Sequence, residues 1–389
     1  MTTHASITTS SATVDTDTLR ALCAAQTAAQ APVLSLYFAL DPRPTAESDT
    51  ALRQQALTGH LAAEGGAAAA AAHLAPLVKK ATPGTGVLAA FATADSVLFA
   101  TRLPGSAQGD LARYAAVPHL LPLLEWHQQH PAHVLALVDR TGADIEAYPP
   151  GCTEPARRRV DGPDDEIERN APGGRSQMRY QHRAEDSWEH NATQAAGAVT
   201  AALTRTGAHV LLLAGDVRAV QYLLKHLPTR VHRDVAVRRV SGGRSPDGAA
   251  GIRSVQIVAE LHRAAEAETA AVLRHLAAER RPGGRTVDGA RATLTALAQG
   301  RLDTLVVTDH PRDHRTAWVG PAPTDVAPRH RTLLRKGVGA SQAHLTDIAV
   351  RAALLTGSDV RVLTPRTPGA PAQGIGGLCR FNRPGHQGP

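Results

Sequence analysis

The chain has 389 residues, enough for two or three domains with packed cores. It is 43% hydrophobic but only 3% aromatic, so its cores are built from Ala, Val and Leu, and a single-strand binder that works by base stacking is disfavoured. The net charge of +7 is carried mostly by arginine, which keeps its charge and grips phosphate with a planar fork; a nucleic-acid partner is favoured, though not at histone-like density.

Three cysteines, Cys23, Cys152 and Cys379, lie far apart, with no zinc spacing and no disulfide framework, which suits a reducing, cytoplasmic compartment. No apolar run approaches the roughly 18 residues of a membrane span.

Residues 1–17 read as a disordered leader. Residues 31–40 read as a strand stopped by Asp41-Pro-Arg-Pro44, and the Ala/Gly tract 62–72 reads as helix. Residues 86–91 and 96–102 form an expected strand pair. Residues 117–126 close this region, with a boundary at Gln128-Gln-His-Pro131. His127 and His130 are expected on one face of a solvated helix end.

A hairpin is expected from 134–138 and 143–148 across Asp139-Arg-Thr-Gly142. The stretch 149–176 is rich in Pro, Gly and charge and is too long for a simple connector. An apolar strand at 209–213, the turn Ala214-Gly-Asp216 and a helix at 217–226 make an α/β signature. A long helix follows at 252–279. A helix at 287–299 ends at Gly300, and Asp303 to Asp309 reads as a buried strand. Residues 340–355 read as helix, 360–363 as strand and 374–381 as strand.

No P-loop, HExxH or GxSxG motif is present. Asp309-His-Pro-Arg-Asp-His314 has the composition of a metal cluster but no second cluster to complete it, so it reads as a polar loop. No metal and no cofactor is expected.

The informative stretch is Asn170-Ala-Pro-Gly-Gly-Arg-Ser-Gln-Met-Arg-Tyr-Gln-His-Arg183. Gly173 and Gly174 free the backbone, and Pro172 keeps Ala171 out of a helix. Ser176 can cap a helix carrying Tyr180, Ala184, Trp188, Ala192, Val199 and Leu203 at helical spacing. From Arg169 to Arg183 inclusive there are four arginines and no acid, while acids flank the stretch on both sides. A glycine loop with a positive tip on a helix N-terminus suits a phosphate-rich partner. On composition alone, the same residues also fit an ordinary solvated loop.

Gly173-Gly-Arg-Ser-Gln-Met-Arg-Tyr180 resembles the central loop of archaeal and eukaryotic class-1 translation release factors. There the loop reads Gly-Gly-Gln, then Ser, two residues, Arg and an aromatic; here Arg175 stands at the glutamine position. Residues 287–309 are similar to the opening of that family's third domain, and Gly374-Ile-Gly-Gly-Leu-Cys-Arg-Phe381 to its closing strand. The resemblance covers about residues 132 to 381. No counterpart of the stop-codon-reading Asn-Ile-Lys-Ser motif is found in the first region.

Among bacterial members, the chain is most similar to the archaeo-eukaryotic class-1 release factor-like group of Pelota- and Balon-like ribosome hibernation factors. The run Asp186-Ser-Trp-Glu-His-Asn191 fits its actinobacterial branch. The resemblance implies a three-domain α/β architecture of mixed sheets, with an RNase H-like middle domain and an α/β/α third domain. The implied division is 18–130, 131–265 and 266–389.

It also implies the ribosome as partner: 23S rRNA, the A site and a P-site tRNA, with elongation factor Tu as a further candidate and no membrane. Arg169, Gly173, Gly174, Arg175, Ser176, Gln177, Arg179 and Arg183 are the expected RNA-binding residues. A guanidinium is a donor only and cannot orient water as the glutamine does, so no catalytic residue is expected. The alternative is a peptidyl-tRNA hydrolase or ribosome rescue factor that uses Gln177.

Overall fold

The computed structural model describes residues 13–40, 65–81, 84–162, 175–244, 249–310 and 312–381. Contacts divide the chain into two units, one of Met1–Gln128 with Glu268–Pro389, the other Gln129–Ala267. Within the described residues the architecture is mixed α/β.

The first unit opens with α1 (Thr16–Ala29). Asp15 caps it by accepting from Thr18 N at 2.8 Å, and Val14 is buried, so the expected leader overlaps ordered chain by a few residues. Then come β1 (Val33–Ala39), α2 (Gly65–Lys80), β2 (Val87–Ala92), β3 (Val97–Leu103), β4 (Leu111–Ala115) and α3 (Leu121–Gln129). The strands form one antiparallel sheet in the order β3-β2-β1-β4. Leu34, Leu36 and Phe38 of β1 pack on α2 through Leu74 and Val78, while Val33 and Tyr37 face a larger core. Period-two alternation with both faces covered explains why every β1 residue but the last is buried.

The second unit holds β5 (His133–Asp139), β6 (Gly142–Tyr148), β7 (Ala156–Asp161), α4 (Arg175–Thr206), β8 (Val210–Gly215), α5 (Val217–His226), α6 (Thr229–Asp234) and β9 (Ala236–Arg239). It also takes the first part of α7 (Ala250–Ala278). Its sheet runs β7-β6-β5-β8-β9, antiparallel on the β7 side and parallel from β5 to β9. β8 is a continuous apolar run because both its faces are covered. Leu211 and Leu213 meet Ala195, Val199 and Leu203 of α4, whereas Val210 and Leu212 meet Leu261 of α7. Gly215 closes the strand at φ +129, where a Cβ would lie 1.8 Å from the Val138 carbonyl oxygen. Asp216 then caps α5, accepting from Arg218 N and Ala219 N at 2.9 and 3.0 Å.

The remainder of the first unit contains β10 (Thr286–Asp288), α8 (Ala290–Ala298), β11 (Leu302–Thr308), β12 (Thr316–Val319), β13 (Val326–Ala327), α9 (His330–Leu334), β14 (Ser341–His344), α10 (Leu345–Leu355), β15 (Asp359–Leu363) and β16 (Ile375–Cys379). The mixed sheet β10-β16-β11-β15 and the antiparallel sheet β13-β12-β14 flank α10. The first and last regions of the chain share one hydrophobic core, in which Leu19, Tyr37 and Leu120 join Leu294, Leu305 and Ile348. Gln128 extends the β15 edge, donating to Val362 O at 3.0 Å and accepting from Val362 N at 2.7 Å.

Four expectations are corrected. The stretch 149–176 contains an edge strand, β7, made regular by pairing with β6. Residues 286–288 are strand, not helix; Gly289 at φ +83 separates them from α8. Residues 341–344 are strand β14, drawn out by pairing with β12. His127 is no solvated group: its Nδ1 lies 2.6 Å from Val14 O, and burial pushes its pKa down, while His130 falls beyond α3.

Candidate nucleic-acid interface

Arg169, Gly173 and Gly174 lie outside the described residues. The helix α4 starts at Arg175, so Ser176, expected as its cap, falls in its first turn. Gln177, Arg179 and Arg183 follow on the same helix; the side chains of residues 175–187 lie outside the described set. The backbone alone fixes two relations. Positions 175, 179 and 183 repeat every four residues and therefore follow one another along a single helix face. Position 177 is displaced about 200° around the axis from 175. The first turn of α4 contains no acid to offset the positive end of the helix dipole.

The near end of the loop is anchored by contacts that sequence reasoning missed. Gly162 N donates to Thr141 O at 2.7 Å, and a Cβ at Gly162 would fall 1.7 Å from Asn191 Oδ1. Asn191 is buried on α4, and its Nδ2 donates to Arg140 O at 3.0 Å. The start of the loop is thus seated against the helix that emerges from its other end.

Arg244 gathers the surrounding acids. Nη1 donates to Asp139 Oδ1 at 2.9 Å and Thr141 Oγ1 at 3.0 Å. Nη2 reaches Asp144 Oδ1 at 3.2 Å and Asp161 Oδ1 at 2.5 Å. Burial acts against the Arg244 charge, but bonds to Asp161, Asp144 and Asp139 outweigh it and raise its pKa. The same guanidinium, with Arg159, holds Asp161 below the ordinary carboxylate range. In the sequence Gly242-Gly-Arg244 reads as composition, and nothing in it announces the aspartates that Arg244 holds.

Three arginines of β7 lie at the exposed sheet edge beside the loop. Arg157 pairs with Glu146 at 3.0 Å and Arg159 with Asp161 at 2.7 Å, while Arg158 makes no ion pair among the described residues. Elsewhere, Asp313 of the metal-like sequence pairs with Arg315, which holds its carboxyl down at about 2. Among the described residues no three ligating side chains converge on a metal site.

Residues 132–282, which enclose the loop, α4 and Arg244, match the family model of bacterial archaeo-eukaryotic release factor family 2. The similarity to that family thus covers the region of the loop and its helix, somewhat under half of the chain. Two relatives, the "Uncharacterized proteins" Rv2629 and MT2704 of Mycobacterium tuberculosis strains, are each 28% identical to this chain over 302 residues. The match covers 75% of this chain and 77% of each relative. Solved structures with similarity to it include archaeal translation termination factor aRF1 (17% identity, 94% and 98% of the two chains, TM-score 0.26). Archaeal Pelota in its ribosome-bound form is 13% identical over 95% of both chains, with a TM-score of 0.38. Archaeoglobus fulgidus Pelota is 16% identical over 78% and 81%, with a TM-score of 0.30.

Proposed function

We propose that this release-factor-like protein binds the ribosome, occupies the A site of idle or stalled particles as a hibernation factor, and does not release the nascent chain. The observation that carries the proposal is Arg175, which stands where the family's loop has its catalytic glutamine, within a region that matches the family. A guanidinium offers donors and a fixed charge but no acceptor with which to orient water. It is suited to rRNA or tRNA phosphate.

The helical placement supports this reading. Arg175, Arg179 and Arg183 follow one another on one face of α4, at a helix start without acids. Gln177 sits about 200° away from position 175, so it reaches the glutamine's place only if the first turn unwinds. Arg169, Gly173, Gly174 and Ser176 complete the RNA-binding set. Domains at 18–130, 131–265 and 266–389, a cytoplasmic location, and 23S rRNA, P-site tRNA and elongation factor Tu as contacts belong to the same proposal. No helix among the described residues is long and apolar enough to cross a membrane.

Sedimentation with vacant ribosomes tests it. Wild type should pellet with them, and Arg175→Ala combined with Arg179→Ala should pellet less and flatten the salt dependence by about one slope unit per lost phosphate contact. Equal pelleting would remove the loop from the account. In a release assay on ribosomes carrying peptidyl-tRNA, no hydrolysis is expected; hydrolysis abolished by Gln177→Ala would establish the rescue-factor alternative instead.

A further inference from the structure

Residues 326–346 carry Arg329, Arg331, Arg335 and Lys336 and no acid, so this stretch accounts for +4 of the net +7 of the chain. The basic loop has the same make-up, four arginines and no acid from Arg169 to Arg183, but it belongs to the second unit and this stretch to the first. The four cations sit on and around α9. Leu333 is fully buried and anchors the helix, while Arg329, His330, Arg331, Arg335 and Lys336 are exposed. None of the four cations forms an ion pair among the described residues. Backbone bonds close the turn on itself: Thr332 N donates to Arg329 O at 3.0 Å, Arg335 N to Arg331 O at 3.1 Å and Lys336 N to Leu333 O at 2.9 Å. At a helical rise of about 1.5 Å per residue, the four Cα atoms span roughly 10 Å.

The turn is also fastened to the small sheet β13-β12-β14. Ala317, Val319 and Ala343 are buried on its inner side, which leaves Thr316, Trp318 and Gln342 on the outer side. His330 stacks on Trp318 with ring centroids 4.3 Å apart. The cations are therefore held at fixed places on an ordered surface. Arg331 and Arg335, four residues apart, are a like-charge pair that destabilises the free protein and that a negative partner relieves. The chemistry of that partner follows from what the surface lacks. Protein interfaces are depleted of charge at their core, whereas Leu334, 61% exposed, is the single large exposed apolar side chain among the described residues of this stretch. Three of the four cations are arginines, whose planar fork takes phosphate oxygens two at a time. A nucleic-acid duplex, with about one charge per 1.7 Å of axis, presents several phosphates over the length of this turn.

We propose that Arg329, Arg331, Arg335 and Lys336 form a second RNA-binding surface, which grips the phosphate backbone of a duplex and is independent of the basic loop. The choice of RNA rests on the proposed ribosome binding. The phosphate contact does not, because it follows from an exposed, acid-free patch in the first unit.

The test is fluorescence anisotropy of a labelled RNA duplex of about 20 base pairs, titrated with the full chain between about 0.1 and 0.5 M sodium chloride. Arg331→Gln combined with Arg335→Gln and Lys336→Gln should weaken binding at least about tenfold at the lowest salt and lower the slope of log affinity against log salt by about two to three. Arg331→Lys combined with Arg335→Lys keeps the charge and should keep the slope. Removing as many exposed cations elsewhere, by Lys79→Gln, Lys80→Gln and Arg102→Gln, should leave the slope nearly unchanged. Should the triple variant of the patch not fold, Arg331→Gln alone supplies the readout, with a slope lower by about one. The triple substitution should act equally in a chain already carrying Arg175→Ala and Arg179→Ala. Since no ribosome is present, failure of the patch and failure of the proposed A-site binding are told apart. Binding should be at least as tight to RNA as to a DNA duplex of the same sequence, and weaker to polyglutamate. No binding of RNA by the wild type, an unchanged slope in the patch variant, an equal fall in the Lys79, Lys80 and Arg102 variant, tighter binding of DNA, or polyglutamate bound as tightly as RNA would overturn the proposal.

Discussion

In the first unit a buried carboxylate gathers hydrogen-bond donors; in the second a cation gathers carboxylates. Asp347 is 1% exposed and accepts from His119 Nδ1 at 2.8 Å and Arg113 Nη1 at 3.0 Å. Arg244 is 6% exposed, but its acids Asp139, Asp144 and Asp161 are 34%, 36% and 51% exposed. Both centres are buried; the first cluster also buries His119, 5% exposed, and meets water only at Arg113, 35% exposed, whereas the second is wet at all three acids of its rim. The same pairing chemistry therefore has different consequences. Where water is excluded, loss of one partner strands the other in a poor solvent; where water reaches the acids, it replaces the lost partner.

The largest effect should come from Asp347→Ala, which leaves the buried His119 without its acceptor, while water reaches Arg113. A loss of about 3–5 kcal/mol is expected in denaturant unfolding of the first unit. A loss under about 1 kcal/mol would mean the cluster is not closed to water. Its pH dependence has a definite sign. Burial works against the Asp347 charge, but His119 and Arg113 outweigh it, so the folded carboxyl titrates below its ordinary value. The stabilisation is present above the unfolded pKa of about 4 and is lost as pH falls through the folded one.

Arg244→Met should cost less, about 1–2 kcal/mol, because its partners are half hydrated. It should also weaken ribosome association through the loop base without touching the loop. At 1 M salt, where the screening length is about 3 Å, the Arg244→Met penalty should shrink while that of Asp347→Ala persists. Equal salt sensitivity would erase the distinction between the clusters.

Each unit also buries one histidine whose pKa is pushed down by burial: His127 in the first and His133, stacked on Tyr148 at 4.3 Å, in the second. A lowered histidine pKa stabilises the fold above the unfolded value of about 6.5, and that contribution is lost as pH falls through the folded pKa. His127→Gln and His133→Gln should each flatten this loss in their own unit, as read from urea midpoints between pH 7 and 5. The smallest effect should be Arg158→Ala: stability within about 0.5 kcal/mol, with a ribosome salt slope lower by about one if it meets a phosphate.

Several elements were readable because their signal is local. β8 is an unbroken apolar run, the β5–β6 hairpin has its turn in Asp139-Arg-Thr-Gly142, and α5 begins on Asp216. β7 was missed because Ala156-Arg-Arg-Arg-Val-Asp161 alternates in neither hydrophobicity nor size; β6 makes it a strand. β10 and β14 are too short and polar to announce themselves, and each is defined by the strand it pairs with.

The sequence by itself carried the resemblance to release factors and the arginine at the glutamine position of their loop, since Gly173-Gly-Arg175 and its flanking serine, arginine and tyrosine are close neighbours in the chain. It also determined that this stretch is positive and ends in a helix, because charge and helical period are properties of neighbours along the chain. Only the tertiary structure decided which charges are hidden. Asp347 lies 228 residues from His119 and 234 from Arg113, and Arg244 lies 83 to 105 from its aspartates. Arg351 is one of many arginines in the sequence and becomes distinctive only once burial removes water and, among the described residues, no acid pairs with it. Desolvation depends on everything packed around a group, and no local pattern encodes that.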